Sequence, residues 1–225
     1  MNYDWLLRQV FSVLVRLIPA IIGLWFWYRY TKGEKAFIIL LGYDVIGIII
    51  GAFLAYYYHN NIVMSHIYAI MEVWLLSIFY QKYMTSKSVK QILSWFPFIY
   101  TVFSIVMIIG FTGVFNNNPS SNSIRALFTI VFGSIALTQI VTEDENLIHQ
   151  GNFWIILGLV SYYLLNIGYL SMKYWLIKTD STLTWGLFTI LRYSFYVVNI
   201  FYALGLWLIA KERKQKIVTE DIVST

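Results

Sequence analysis

Long apolar runs alternate with short polar breaks along this chain. Seven runs stand out, at about 10–29, 36–57, 63–83, 91–113, 124–141, 152–172 and 184–210. Each is near the ~20 mainly apolar residues that a membrane-spanning helix needs. The runs are continuously apolar rather than alternating, which predicts helices and not the strands of an outer-membrane barrel. The expected fold class is all-α: a polytopic integral membrane protein, a seven-transmembrane-helix bundle. The seventh run is longer than a bilayer requires, so its helix tilts or continues past the membrane. The connections leave no room for a soluble domain, and the longest polar stretch, Asn116–Asn122, is rich in turn residues. Residues 1–210 are therefore assigned to the transmembrane domain, and 211–225 to a basic cytoplasmic tail expected to be disordered.

Composition strengthens this reading. Apolar residues make up 59% of the chain and charged residues 12%, against about 45–50% and 25% in soluble domains. Aromatic residues reach 19%, in keeping with the preference of Trp and Tyr for the bilayer interface. The absence of cysteine excludes disulfides, thiolate metal sites and thiol nucleophiles. The N-terminus carries Asp4 and Arg8 but no small-residue cleavage pattern, so it reads as an uncleaved first membrane helix rather than a signal peptide. The net charge of +5 comes from cations in the connections, which set topology rather than bind nucleic acid.

Those cations are unevenly divided. Arg29, Lys32, Lys35, Lys82, Lys87, Lys90, Lys211, Arg213, Lys214 and Lys216 fall on one side, and Arg8, Arg125, Lys173 and Lys178 on the other. The positive-inside rule makes the first set cytoplasmic, with the N-terminus outside and the C-terminus inside a cell membrane. The acidic run Glu143–Glu145 falls on the cytoplasmic side as well, but carboxylates weigh little in that rule.

Seven helices can arise as two three-helix units in parallel orientation joined by a linker helix, a 3+1+3 repeat. Phe11–Val15 echoes Phe128–Phe132, Ile38–Gly42 echoes Ile155–Gly158, and Ile67–Glu72 echoes Leu187–Arg192. Apolar helices also match one another by composition alone, so both origins stay open. Such an arrangement resembles the sugar-carrier and PQ-loop architecture, although the Pro-Gln pair that names that family is absent from this chain. Parallel repeats are one way to build a carrier.

Charges inside a membrane are costly and point to function by default. Arg16, Asp44, Glu72 and Arg192 lie within the apolar runs. Counted from the outer ends of their runs, Glu72 is roughly 13 Å deep and Arg192 roughly 12 Å deep at 1.5 Å of rise per residue. The expectation is a Glu72–Arg192 ion pair between helices 3 and 7, joined by Arg16, Asn166 and Tyr68 in a ligand-binding pocket in the outer half of the bundle. Asp44 is expected in a second polar site nearer the cytoplasm, within reach of Asn199. A buried pair can also simply lock two helices in register, without a ligand.

Other chemistries find no support. Helix 7 has no lysine between Lys178 and Lys211 for a retinal Schiff base. His59, His66 and His149 lie in or near connections, which gives neither a zinc hydrolase nor a bis-histidine haem site. No phosphate-binding glycine loop or nucleophile elbow is present. No cofactor, metal or catalytic constellation is implied. Two readings remain: a small carrier or binding protein for a polar or charged solute, or a membrane receptor or partner-binding subunit contacting a cytoplasmic protein through the basic tail.

Overall fold

A computed structural model describes residues 3–143, 146–179 and 181–223, with side-chain surroundings for 10–142, 146–169, 186–187 and 189–215. The acidic run at 143–145, Arg8, Lys173 and Lys178 fall outside those side chains. Seven helices follow in order: α1 Tyr3–Trp25, α2 Lys32–Tyr58, α3 Ile62–Gln81, α4 Lys87–Met107, α5 Pro119–Glu143, α6 Gly151–Thr179 and α7 Ser181–Val223. Six contain a stretch long and apolar enough to cross a membrane, and the described part of α1, Val10–Trp25, is a shorter apolar helix. Their outward faces carry large apolar side chains such as Ile49, Phe53, Ile99, Val102 and Ile109. Lipid solvates such a surface and water does not.

Local chemistry explains the helix boundaries. Thr31 and Glu34 form a reciprocal capping box that starts α2. His59 ends α2 in the left-handed region, at φ 53°. The end of α4 loosens into a π-helical turn, Ile108–Thr112, which Gly113 closes at φ 79°, a conformation that favours glycine. Asn118 caps α5 by accepting a hydrogen bond from the Ser121 amide at 3.1 Å, and Pro119 occupies the first turn, where its missing N–H costs nothing.

Pro97 lies inside α4 and cannot donate to the carbonyl of Leu93. The hydroxyl of Ser77 on α3 donates to that carbonyl instead. One defect in α4 thus becomes a bond between α3 and α4.

The helices form a ring. α1 packs on α2 and α7, α2 on α3, α3 on α5, α5 on α6, and α6 on α7, while α4 lies outside against α3 and α5. α6 and α7 approach most closely where Gly151 faces Gly205; a Cβ on Gly151 would stand 2.1 Å from the Gly205 carbonyl oxygen.

One end of the ring carries the α2–α3 and α4–α5 loops, linked by Asn60 Nδ2 donating to the Phe115 carbonyl at 3.2 Å. The opposite end is basic. There Lys82 and Arg213 meet Glu34 at 2.6 and 2.7 Å, and Arg213 also donates to the Arg29 carbonyl. The basic residues that follow Ala210 continue α7, which runs to Val223. They sit on a helix rather than in the irregular tail expected from the sequence. Lys, Glu, Arg and Gln are strong helix formers, and no Gly or Pro follows Gly205 to stop the helix.

Candidate functional site

Near the middle of the ring, α1, α2, α3, α5, α6 and α7 enclose a cavity of about 200 Å³. Its walls bear two guanidiniums, Arg16 and Arg125, and two carboxylates, Asp44 and Glu72. Tyr68, Tyr162, Tyr163, Tyr202, Asn199 and Ser65 add polar groups, and Phe37, Leu40, Leu41, Leu159 and Phe195 complete the lining.

The charges are paired in a set order. Arg16 Nε donates to Asp44 Oδ2 at 2.5 Å. The same guanidinium donates through Nη1 to the Ser12 hydroxyl and, at 3.4 Å, to the Ser12 carbonyl. It lies 3.9 Å over the ring of Phe195. Arg125 Nη1 donates to Glu72 Oε2 at 2.8 Å, and the Tyr163 hydroxyl donates to the other Glu72 oxygen. Arg125 Nε is buried and has no hydrogen-bond partner among the described residues.

A second cavity of about 580 Å³ runs from the loop end down between α2 and α3. Gly47, Gly51, Ala52 and Ala55 leave room for it, Asn61 and Asn117 stand at its outer rim, and it shares Asp44, Ser65 and Tyr68 with the charged cavity. Asp44 is therefore the threshold between the two. Toward the basic end the passage is closed by packed rings. Phe37 meets Phe79 at 5.2 Å and Tyr202 at 5.0 Å between centroids, and Phe79 and Tyr80 are fully buried.

Below that layer, Glu34 is fully buried. Its carboxylate accepts from the Thr31 amide at 2.7 Å and the Thr31 hydroxyl at 2.9 Å, as well as from Lys82 and Arg213. Nearby, Tyr30 donates to the Leu206 carbonyl at 2.9 Å, and Arg29 to the Ala210 carbonyl at 3.1 Å. Together these bonds fasten the start of α2 and the end of α3 to α7.

Set against the sequence, Arg16, Asp44, Tyr68, Glu72 and Asn199 line one cavity rather than two sites. Arg192 and Asn166, both half-buried, are not part of its lining. The cation on Glu72 is Arg125, which corrects the expected Glu72–Arg192 pair. The reason is depth. Tyr163 reaches Glu72 and Tyr162 packs on Phe195, so Phe195 marks the cavity's level on α7 and Arg192 lies a turn further out. α6 continues to Thr179 beyond that level while α3 begins at Ile62, so the two helices do not end in a common plane. The projection is about six residues, or roughly 9 Å.

Arg125 and Glu34 are the residues that sequence reasoning missed, though both carried a signal. Asn118-Pro119 is a helix start, which puts Arg125 in the second turn of α5 instead of at its outer end. Thr31 and Glu34 have capping-box spacing.

Near the loops, His66 Nε2 lies 3.1 Å from the Asn116 carbonyl oxygen. Among the described residues no three His, Asp or Glu side chains gather in a way that could hold a metal ion. Comparison with known proteins finds no matching family model and no significantly similar curated protein or solved structure.

Proposed function

We propose that the chain is a small seven-span carrier or solute-binding protein of a cell membrane, taking a polar or charged solute into the Asp44–Glu72 cavity. The observation that carries this reading is a charged cavity among apolar helices that shares the wall residues Asp44, Ser65 and Tyr68 with a second cavity toward the loop end. Ionisable groups at such depth are expensive to place in a membrane. A lock between helices needs no cavity beside the charges and no second one adjoining it.

The gathering of Arg29, Lys82 and Arg213 at the other end supports a cytoplasmic basic end and an N-terminus outside. The second cavity would then lie on the side away from the cytoplasm. A ring order of α1, α2, α3, α5, α6, α7 with α4 outside suits a parallel 3+1+3 repeat, in which each three-helix unit closes half of the ring. The aromatic layer and the Glu34 cluster would form the closed inner side of an outward-open state.

The test is thermal unfolding of the purified protein in detergent across a library of small solutes, wild type against Ser65→Phe. Ser65 lines both cavities, so the phenyl ring plugs the junction without removing a charge. A solute at one hundred times its dissociation constant stabilises the wild type by about 2.7 kcal/mol, and the plugged variant should lose that shift. A library with no effect on the wild type would sink the carrier reading. The helical extension of α7 would then remain as a surface for a protein partner.

A further inference from the structure

The charges around the cavity balance, and that balance restricts what the cavity can take. Arg16 and Arg125 contribute two positive charges, Asp44 and Glu72 two negative ones, and each sits in a pair. A solute with net charge would leave that charge uncompensated between apolar helices, where an unpaired ion costs several kcal/mol. An uncharged polyol would compete with two ion pairs whose charges it could not replace. A solute with both signs and no net charge can exchange partners with the wall and keep every charge paired.

The pairs differ in a way that shows where such a solute enters. Arg16–Asp44 sits at the threshold, with side chains 14% and 20% exposed, whereas the Glu72 side chain is 5% exposed and is held by both Arg125 and Tyr163. Both cations also lie over a ring, Arg16 at 3.9 Å from Phe195 and Arg125 at 5.8 Å from Tyr163, but among the described residues only Arg16 has a further hydrogen-bonding anchor off its carboxylate, at Ser12. When the threshold pair opens, the Arg16 guanidinium is still held by Ser12 and by the face of Phe195. It is then free to bind an incoming acid group while Asp44 binds an incoming ammonium.

We propose, resting on the solute-binding reading above, that the ligand is a small zwitterion of the amino-acid type that inserts between Arg16 and Asp44. Its carboxylate lies on Arg16 and its ammonium on Asp44, giving an alternating row of four charges. The cavity of about 200 Å³ restricts it to a small molecule. The Glu72–Arg125 pair below remains closed and forms the floor of the polar site.

The experiment uses the purified full-length protein in detergent at pH 7. Thermal unfolding is followed with the common amino acids, β-alanine and 4-aminobutyrate, each beside its decarboxylated amine and its deaminated acid. At least one zwitterion should raise the melting temperature with a concentration dependence at least tenfold tighter than its amine or its acid. Asp44→Asn should weaken that binding at least tenfold. Arg16→Lys keeps the positive charge and the fold, and should weaken the carboxylate end alone, so its loss is larger for the zwitterion than for the matched amine.

An amine or an acid that binds as tightly as its zwitterion overturns the proposal. So does a solute of another class whose shift disappears in Ser65→Phe, an outcome that leaves the solute-binding reading standing. No shift from any solute removes both.

Discussion

The molecule buries carboxylates in two places, and their surroundings differ in kind. At the basic end Glu34 is fully enclosed, and its two oxygens accept four donors from Thr31, Lys82 and Arg213. Mid-bundle, Asp44 and Glu72 are each paired with one arginine, face a cavity, and have beside them the Arg125 Nε, which has no partner among the described residues. A saturated carboxylate is a fastening. A carboxylate paired at the edge of an open volume can change partners. Buried charge alone does not separate structure from function; the space and the unused hydrogen bonds beside the charge do.

The largest effect expected from breaking this contrast is at the fastening. Glu34→Gln leaves Lys82 and Arg213 without their counter-charge and should cost on the order of 3 kcal/mol. It should appear as the greatest loss of melting temperature among single charge-removing variants of the two clusters, with solute affinity affected less. The second prediction removes both members of the deep cavity pair. Glu72→Gln with Arg125→Gln replaces two charges by two amides of similar size, so stability should stay within about 1–2 kcal/mol of wild type. Solute-dependent stabilisation should weaken, by less than in Asp44→Asn, because this pair is the floor of the site and not a partner of the solute. If the double variant instead unfolds as readily as Glu34→Gln, the two clusters are alike and the contrast fails. The smallest effect is Thr31→Ala, which removes one of the four donors to Glu34 and the cap of α2. A cost of about 1 kcal/mol, with unchanged solute response, would place Thr31 wholly on the structural side.

Much of this was legible in the sequence because lipid imposes a simple code. Length and apolarity mark the helices, and the clustering of cations marks the end where Arg29, Lys82 and Arg213 meet. Depth was harder to read, since it had to be counted from the edges of apolar runs, and polar residues at a helix start hide those edges. Arg125 therefore reads as a topology-setting charge at the outer end of the fifth run, although α5 begins at Pro119. Arg192 was placed level with Glu72 although the cavity wall on α7 is formed by Phe195, Asn199 and Tyr202. That Asp44 and Glu72 share a cavity depends on how α2 and α3 are rotated about their axes. Both helices have apolar residues on nearly every side, so no periodicity in the sequence announces which side faces inward.

α7 carries a wall of the cavity through Asn199 and a strand of the fastening through Arg213, on one unbroken helix. The two residues are roughly 21 Å apart along its axis, and a helix transmits an axial shift almost without loss. If the cavity takes a solute as proposed, occupancy there and closure of the Glu34 cluster would be coupled through that one helix, and coupling of that kind is reciprocal. By whatever factor a bound solute loosens the Glu34 cluster, loosening that cluster from the opposite side must tighten the solute.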